Sequence, residues 1–246
     1  MSHKPSASAP GMPHALPPDQ VPLSKLPNFD PRQARLVGVD THLPPVPQAM
    51  LGPQALRQRF RTPPAWEAEL RSEPRFTNRK PAAAAVLIPL VMREQLTVLL
   101  THRTTHLSNH SGQVAFPGGR QDEGDADSAA CALREAEEEI GLDPRHVEVL
   151  GSLPTYTTGT MFIVTPVVAL IAPDHQLALN AHEVAGAFEV PLPFLMNPAN
   201  HRRHAVEVDG VHREWFAMPW EDDAREHFIW GATAGMLRNL YRFLSA

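Results

Sequence analysis

Long apolar runs set the pattern of the chain after residue 81. Residues 82–91 are apolar without a break, and a second run covers 96–101 after the polar residues 93–95. Their length and the polar break between them predict two buried strands joined by a tight connection. Shorter runs of the same kind predict further strands at 113–116, 147–153 and 162–171. Residues 204–208 and 211–217 alternate around Asp209-Gly210, a pattern typical of a β-hairpin.

Two segments have helical spacing. Residues 126–140 form the first, and Gly141 follows where a helix commonly ends on a left-handed glycine. Residues 231–244 form the second, with apolar side chains recurring on one face. Strands therefore surround one central helix, and a second helix closes the chain. This order predicts a mixed α/β (α+β) domain over residues 81–246.

The first third of the chain differs in character. Of the 26 prolines, 16 fall at or before Pro81. Residues 1–30 combine proline, serine and alanine with few large apolar groups, so we expect a disordered leader there. Residues 31–80 are expected to form an N-terminal extension with one or two short helices between residues 47 and 72. A substrate lid, a dimer contact and a packing extension are all compatible with this segment.

The central helix carries an unfavourable set of charges. On a helix over residues 129–142, the apolar residues share one face: Ala129, Leu133, Ala136 and Ile140. Glu135, Glu138 and Glu139 lie together on the other side, where they repel one another near the negative end of the helix dipole. A divalent cation such as Mg²⁺ or Mn²⁺ would remove this conflict, because it prefers oxygen ligands. A solvated acidic face is the alternative, and it explains most glutamate runs in helices.

The residues before this helix favour the metal site. Phe116-Pro117-Gly118-Gly119-Arg120 puts two glycines at the end of a predicted strand, where the backbone can approach an ion or a phosphate closely. A short loop, 121–125, leads into the acidic helix. This arrangement resembles the Nudix box, Gly-x5-Glu-x7-Arg-Glu-U-x-Glu-Glu-x-Gly-U, in which U is aliphatic. The second half of the box matches at every defined position: Arg134, Glu135, Ala136, Glu138, Glu139, Gly141 and Leu142.

The first half of the box departs from the pattern. Gly119 and Arg134 are 15 positions apart instead of 14, so the loop carries one extra residue. Asp125 stands at the place of the first box glutamate when counted from Gly119, whereas Ala126 stands there when counted back from Arg134. The role of that first acid is therefore left open by the sequence.

A narrower resemblance extends the match upstream. Residues 99–104, Leu-Leu-Thr-His-Arg-Thr, and residues 112–119, Gly-Gln-Val-Ala-Phe-Pro-Gly-Gly, are similar to the signature of coenzyme A pyrophosphatases. Two positions differ, because Thr104 stands where the family usually has serine and Ser108 where it usually has arginine. The second difference removes a cation that could contact a phosphate.

The resemblance implies a fold and an activity. It implies an α/β/α sandwich with a mixed sheet and a catalytic loop and helix. It also implies hydrolysis of coenzyme A or its derivatives to 4′-phosphopantetheine and adenosine 3′,5′-bisphosphate, with Mg²⁺ or Mn²⁺ as cofactor. Two other functions stay open: a Nudix hydrolase of ADP-ribose or dinucleotides, and a Nudix-fold module that binds a nucleotide without hydrolysing it.

The resemblance also assigns roles to particular residues. The metal ligands it implies are Glu135, Glu139, Glu138 and the main-chain carbonyl of Gly118. Arg134 is expected to orient the glutamates. Two residues are open as the general base, Glu138 and Glu183, although Glu183 could equally be a loop carboxylate in water. The substrate contacts it suggests are Arg103, Arg120 and Gly119, with His102 and His110 as further cations nearby.

Composition narrows the partners and the compartment. A net charge of −5 and a pI near 6.2 give no general attraction to nucleic acid or to an anionic membrane. Cys131 is the only cysteine, so an intrachain disulfide is excluded and a reducing compartment fits. The first residues lack the apolar segment of a signal peptide, and the longest apolar run is too short for a membrane helix. We therefore expect a cytoplasmic protein that acts on a coenzyme A-like small molecule, and a homodimer is compatible with the sequence.

Overall fold

A computed structural model describes residues 29–75, 77–104, 113–208 and 210–246. The strands in these ranges are β1 (Arg35–Val39), β2 (Ala82–Val91), β3 (Thr97–Arg103), β4 (Val114–Ala115), β5 (Gly118–Arg120), β6 (Val147–Ser152), β7 (Tyr156–Thr157), β8 (Phe162–Ile171), β9 (Val184–Pro191), β10 (Arg202–Val208), β11 (Val211–Glu221) and β12 (Glu226–Trp230). The helices are α1 (Pro53–Arg61), α2 (Ser128–Ile140), α3 (Leu192–Leu195) and α4 (Gly231–Ser245).

The main sheet is mixed and is organised around β2. Strand β2 pairs in parallel with β8 along its whole length, from Ala82 opposite Phe162 to Val91 opposite Ile171. It pairs antiparallel with β3 at one end and with β5 at the other. Strands β4 and β9 extend the sheet beyond β3, and β6 and β7 pair with β8. The two long apolar runs of the sequence are thus buried strands, as predicted.

Helices cover both faces of this sheet. Helix α2 packs on one face through Ala132, Ala136 and Ile140, which are buried against β2 and β8. On the other face, α4 buries Leu237 and Leu240 in a larger core that also receives Leu56 of α1. Helices on both sides of a mixed sheet confirm the predicted α/β/α sandwich. Cys131 is buried in the α2 core, in keeping with a packing role.

A second sheet lies beside the sandwich, with strand order β1-β10-β11-β12. The hairpin expected at 204–208 and 211–217 is present as β10 and β11, which run from Val208 opposite Val211 to Arg202 opposite Ala217. Hydropathy did not reveal β1 or β12 as partners of this hairpin. In β1 both Leu36 and Val37 are exposed, so its five residues lack the alternation that marks a strand with one buried face.

The N-terminal extension contains one short α-helix, α1, where one or two were expected between residues 47 and 72. After a single 3-10 turn at Gln48–Met50, α1 ends at Arg61, before Pro63-Pro64. Trp66 and Leu70, in the second half of the segment 47–72, therefore lie outside any helix, because proline removes the backbone donor that a helix needs. Trp66 packs instead on Phe243 of α4, with ring centroids 5.2 Å apart. The described helices include none with the length and apolarity needed to cross a membrane.

Candidate active site

Strand β5 and helix α2 bring the paired glycines against the glutamates. Gly119 lies so close to α2 that a Cβ on it would stand 2.5 Å from the Glu135 carboxylate. Gly118 has φ +154°, and a Cβ there would meet the carbonyl oxygen of Ala85 in β2 at 2.4 Å. Its backbone N–H donates to Oε2 of Glu139 over 3.1 Å. Two residues without side chains therefore allow the backbone of β5 to touch the acidic helix.

Glu139 is an acidic residue that is almost completely buried. Only 3% of the residue is exposed. Burial raises the pKa of its carboxyl to about 7, and the neighbouring carboxylates of Glu135 and Glu183 add to this rise. The Gly118 amide and Arg103, whose Nη1 lies 3.4 Å from Oε1 of Glu139, oppose it. A solvated acidic face is therefore the wrong interpretation of this residue.

The pKa of Glu135 is affected by burial and by neighbouring charges, as that of Glu139 is. Burial raises the pKa of its carboxyl, the contact with Arg134 lowers it, and the charges of Glu138 and Glu183 raise it further. Glu183 precedes β9 and is far from α2 in sequence, yet it acts on both Glu135 and Glu139. Its own carboxylate accepts a long hydrogen bond of 3.4 Å from the side-chain amide of Asn180. The tertiary structure thus brings together the carboxylates that the sequence suggested separately.

Arg134 connects the loop to the carboxylates of α2. Its guanidinium donates to both oxygens of Asp125 at 3.0 and 2.9 Å, to Glu135 at 3.0 Å and to Glu138 at 3.1 Å. Arg134 depresses the pKa of Asp125, and the backbone N–H of Asp122 adds to this effect. Asp125 was the residue whose role the lengthened loop left open. In the structure it accepts a bidentate contact from Arg134, which fixes the guanidinium beside Glu135.

The remaining predicted residues differ in their positions. Glu138 is the outermost acid, with 58% of its side chain exposed. Arg120 is exposed, and its carbonyl oxygen accepts from Nη2 of Arg134 over 3.2 Å. Thr104 is buried, and its hydroxyl donates to the carbonyl of His182. Ser108 and His110 lie outside the described residues.

The donor set fits a hard divalent cation. In the described ranges no three acidic, histidine or cysteine side chains already converge as a set of metal ligands. Arginines occupy the carboxylates instead: Arg134 holds Glu135 and Glu138, and Arg103 faces Glu139. The carboxylates raise one another's pKa values because their negative charges repel. Mg²⁺ or Mn²⁺, which prefers oxygen ligands, would stabilise their ionised forms. The acidic residues at the end of α2 could hold such an ion if their side chains turned away from the arginines.

Two contributions to the site were not evident from the sequence. One is the burial of Glu139, because a helical projection separates apolar from polar residues but does not show which polar ones another element covers. The other is the contact between Asp125 and Arg134. The sequence did carry a signal for this contact. Counted back from Arg134, Asp125 is displaced by one residue from the place of the first box glutamate, and an acid so displaced can still face Arg134.

Comparison with known proteins agrees with this geometry. The sequence model of the NUDIX domain matches residues 81–218. The uncharacterized Nudix hydrolase NudL of Escherichia coli K12 is 45% identical over 160 residues, which is 64% of this chain and 80% of that protein. Its counterpart in Enterobacter sp. strain 638 is 46% identical over 158 residues, with the same two shares.

Solved structures that match this chain include a C. elegans Ap4A hydrolase in a binary complex, at a TM-score of 0.39 and 21% identity over 48% of this chain and 85% of that one. The NUDIX domain of Shewanella oneidensis NrtR with ADP ribose is similar at a TM-score of 0.37 and 20% identity, over 46% and 75%. The family match covers more than half of the chain, and it includes the glycines of β5 and the acidic helix described above. The chain therefore belongs to the Nudix family.

Proposed function

We propose that this Nudix hydrolase cleaves the pyrophosphate bond of coenzyme A or its derivatives, yielding 4′-phosphopantetheine and adenosine 3′,5′-bisphosphate. The observation that carries the proposal is the position of Arg103. This residue belongs to the segment 99–104 that resembles coenzyme A pyrophosphatases, and its guanidinium contacts Glu139 of the acidic helix. The distinctive segment therefore lies at the carboxylates themselves and can contact the substrate there.

We propose Mg²⁺ or Mn²⁺ as the cofactor, with Glu135, Glu139, Glu138 and the main-chain carbonyl of Gly118 as its ligands. Such an ion neutralises charge on the pyrophosphate and lowers the pKa of a bound water. Support comes from the raised pKa values of Glu135 and Glu139, in which burial is the largest cause and neighbouring carboxylates add, because a bound cation would stabilise the ionised form of both groups. Gly118 touches Glu139 through its amide, so its backbone is already beside the proposed ligands.

The protein's own groups would position the reactants. Arg134, fixed by Asp125, orients Glu135 and Glu138. We propose Glu138 or Glu183 as the base that takes a proton from the attacking water. Glu138 is the more exposed of the two, and Glu183 lies in the field of the buried acids. Arg103, Arg120 and the backbone of Gly119 are the proposed contacts for substrate phosphates, and arginine suits this role because its donors match phosphate oxygens in pairs.

A Nudix hydrolase of ADP-ribose or a dinucleotide is the second candidate. The serine at position 108, in place of the arginine usual in coenzyme A pyrophosphatases, favours it. A nucleotide-binding module without catalysis ranks below both, because Glu135, Glu138 and Glu139 are all present and Arg134 contacts two of them.

A product assay separates these functions. The purified protein is incubated with Mg²⁺ and, in parallel, with coenzyme A, ADP-ribose, NADH and diadenosine polyphosphates, and the products are resolved by chromatography. We expect adenosine 3′,5′-bisphosphate from coenzyme A, and no product when EDTA is added. Cleavage of ADP-ribose with coenzyme A untouched would sink the assignment to coenzyme A. Turnover that persists in EDTA would count against the metal.

A further inference from the structure

The ends of β3 and β9 carry a second polar group, on the face of the sheet away from α2. Arg103 at the end of β3 turns toward Glu139, so the residue before it, His102, points to the opposite face. Its cross-strand partner in β9 is Gly186, three residues after Glu183. The acidic site and this second group therefore share the same strand ends and differ only in the face they occupy.

A chain of hydrogen bonds ties the turn between β11 and β12 to His102. Nε2 of His102 lies 2.8 Å from Nδ1 of His227, and Nε2 of His227 lies 2.7 Å from Oδ2 of Asp222. The other carboxylate oxygen of Asp222 accepts from the backbone N–H groups of Ala224 and Arg225 at 2.8 and 2.9 Å. His227 is buried and stacks on Phe188 at 3.7 Å. One carboxylate thus fixes both the conformation of the turn and its attachment to the sheet.

This attachment places Arg225 over Gly186. An Nη atom of Arg225 lies 3.8 Å from the point where a Cβ on Gly186 would stand. Gly186 itself has no side chain on this face, so the guanidinium lies over bare backbone. Within the part of the chain that the structure describes, no acidic side chain forms an ion pair with Arg225, whereas Arg103 pairs with Glu139 and Arg134 pairs with several carboxylates. Arg225 is therefore the one cation of a turn whose other charged residues, Glu221, Asp222, Asp223 and Glu226, are acidic, and its guanidinium is left without an ion pair among the described side chains.

We propose that Arg225 binds a phosphate monoester that the substrate carries in addition to its pyrophosphate, and that Asp222 is the residue that positions it. The inference rests on the proposed function, in which coenzyme A supplies such a group at the 3′ position of its ribose. A guanidinium suits it because two of its donors can contact one phosphate. A pyrophosphate at the glutamates and a ribose phosphate at Arg225 would then lie on either side of the same strand ends.

The test compares two ligands that differ only in this phosphate. Adenosine 3′,5′-bisphosphate and AMP are titrated into the full-length protein with Mg²⁺ by isothermal calorimetry. We expect the wild type to bind the bisphosphate at least about tenfold more tightly, a difference of about 1.4 kcal/mol. Arg225→Ala should remove most of this preference and leave the affinity for AMP within about twofold. Arg225→Lys keeps the charge but not the paired donors, so its preference for the bisphosphate should lie between those of the wild type and Arg225→Ala.

Two further variants separate positioning from general charge. Arg35→Ala removes an exposed arginine from β1, at the other edge of the second sheet, and should keep the full preference. Asp222→Asn weakens the anchor of the turn and should reduce the preference while Arg225 is still present. Equal binding of the two ligands by the wild type, no binding of either, or an equal loss for both in Arg225→Ala would each overturn the proposal.

The outcome is separable from that of the proposed function. Coenzyme A hydrolysis is measured in the product assay, whereas the ligand preference is measured without turnover. If coenzyme A is not cleaved but the preference depends on Arg225, the phosphate subsite stands and the assigned substrate does not. If coenzyme A is cleaved but wild-type protein shows no preference, the proposed function stands and the subsite does not.

Discussion

Glu139 holds a carboxylate where water scarcely reaches it, and its neighbours only partly compensate for this. The Gly118 amide and the Arg103 guanidinium stabilise the anion, yet burial prevails and the pKa of the group rises to about 7. Removing a charge from water costs several kcal/mol unless partners replace the lost hydration. Side chains whose position lowers the stability of the folded protein are typical of functional sites.

Replacing this carboxylate should abolish most of the activity. If Glu139 holds the metal, Glu139→Gln should lower turnover at least about 100-fold, the scale expected when a major electrostatic contribution to the transition state is lost. The matched control is Glu137→Gln, on the same helix but exposed and outside the site, which should stay within about twofold. Steady-state kinetics on the identified substrate measure both. Equal activities of the two variants would contradict a ligand role for Glu139.

The same substitution should stabilise the metal-free protein at neutral pH. The pKa of Glu139 is raised from 4.5 to about 7 on folding, so between these values the folded state holds a proton that the unfolded state lacks. The associated stability is complete below pH 4.5 and is lost as the pH rises to 7. In EDTA at pH 8, Glu139→Gln should therefore unfold in urea with a free energy up to about 3 kcal/mol higher than wild type. The gain should shrink near pH 5, and a gain of equal size at both values would contradict this origin.

Asp125 should matter through Arg134. Asp125→Asn removes the negative charge that faces the guanidinium and replaces one of its two acceptor oxygens with an NH2 group, so Arg134 should hold Glu135 and Glu138 less firmly, and kcat should fall about tenfold. Asp122 offers a matched control, because 71% of its side chain is exposed and it lies 3.9 Å from the same guanidinium. Asp122→Asn should leave kcat within about twofold. Similar losses of kcat in both variants would show that the bidentate contact between Asp125 and Arg134 does not contribute specifically to catalysis.

At the scale of elements, the unit from β5 to α2 depends on close approach. Asp127 caps α2 by accepting from the Ala130 N–H at 2.8 Å, and Gly141 ends it with φ +67°. In front of the helix, Gly118 is pressed against β2 and Gly119 against Glu135. The adjacent glycines thus serve different contacts. Gly118 is constrained by the backbone of β2, whereas the neighbour of Gly119 is the Glu135 side chain.

Alanine at these two positions should have distinguishable effects. Gly118→Ala would clash with the Ala85 carbonyl at an unfavourable φ, so the thermal midpoint should drop by several degrees, because about 1 kcal/mol shifts it by about 2–4 °C in a domain of this size. Gly119→Ala should displace the Glu135 carboxylate and lower kcat at least about tenfold, with a smaller change in midpoint. Gly124→Ala is the control, since a Cβ there meets nothing within 4 Å. Loss of activity in Gly124→Ala would contradict this interpretation.

At the scale of the molecule, the N-terminal extension is joined to the sandwich by a network of charges around a buried arginine. Arg238 of α4 is 2% exposed and contacts Glu69 at 2.8 Å and Asp40 at 2.9 Å. It also lies 3.0 Å from Nδ1 of His201, whose pKa is lowered to about 4, first by burial. Tyr241 donates to the carbonyl of Pro44, and Asn239 exchanges hydrogen bonds with Leu70. We therefore propose that residues 31–80 are a packing extension and not a separate domain.

Breaking this network should cost stability more than activity. Glu69→Gln should lower the free energy of unfolding by about 2 kcal/mol, less than the ~3–5 kcal/mol of a fully buried pair, because Asp40 still faces Arg238. Glu67→Gln is the control, since 89% of the Glu67 side chain is exposed and the change should be within ~0.5 kcal/mol. Urea unfolding measures both. A packing role would be contradicted if Glu69→Gln left the unfolding curve unchanged but removed activity.

Much of the fold was predictable because its signals are local. The apolar runs of β2 and β8, the hairpin of β10 and β11, and α2 with its terminal glycine depend on side-chain periodicity and turn chemistry, which neighbouring residues determine. Strands β1, β9 and β12 were not predicted. Strand β1 has no alternation of buried and exposed residues, and its backbone pairs with β10.

For the site, the sequence determined which residues could meet. The spacing in α2 places Glu135, Glu138 and Glu139 on neighbouring turns of one helix face. The sequence also places two glycines shortly before that helix. Tertiary structure alone decided the burial of Glu139, the entry of Glu183 into its field, the contact of Asp125 with Arg134 and the place of Arg225. Each of these depends on elements distant in the chain coming within a few ångströms. Burial and charge pairing are properties of that arrangement, so no local pattern of residues encodes them.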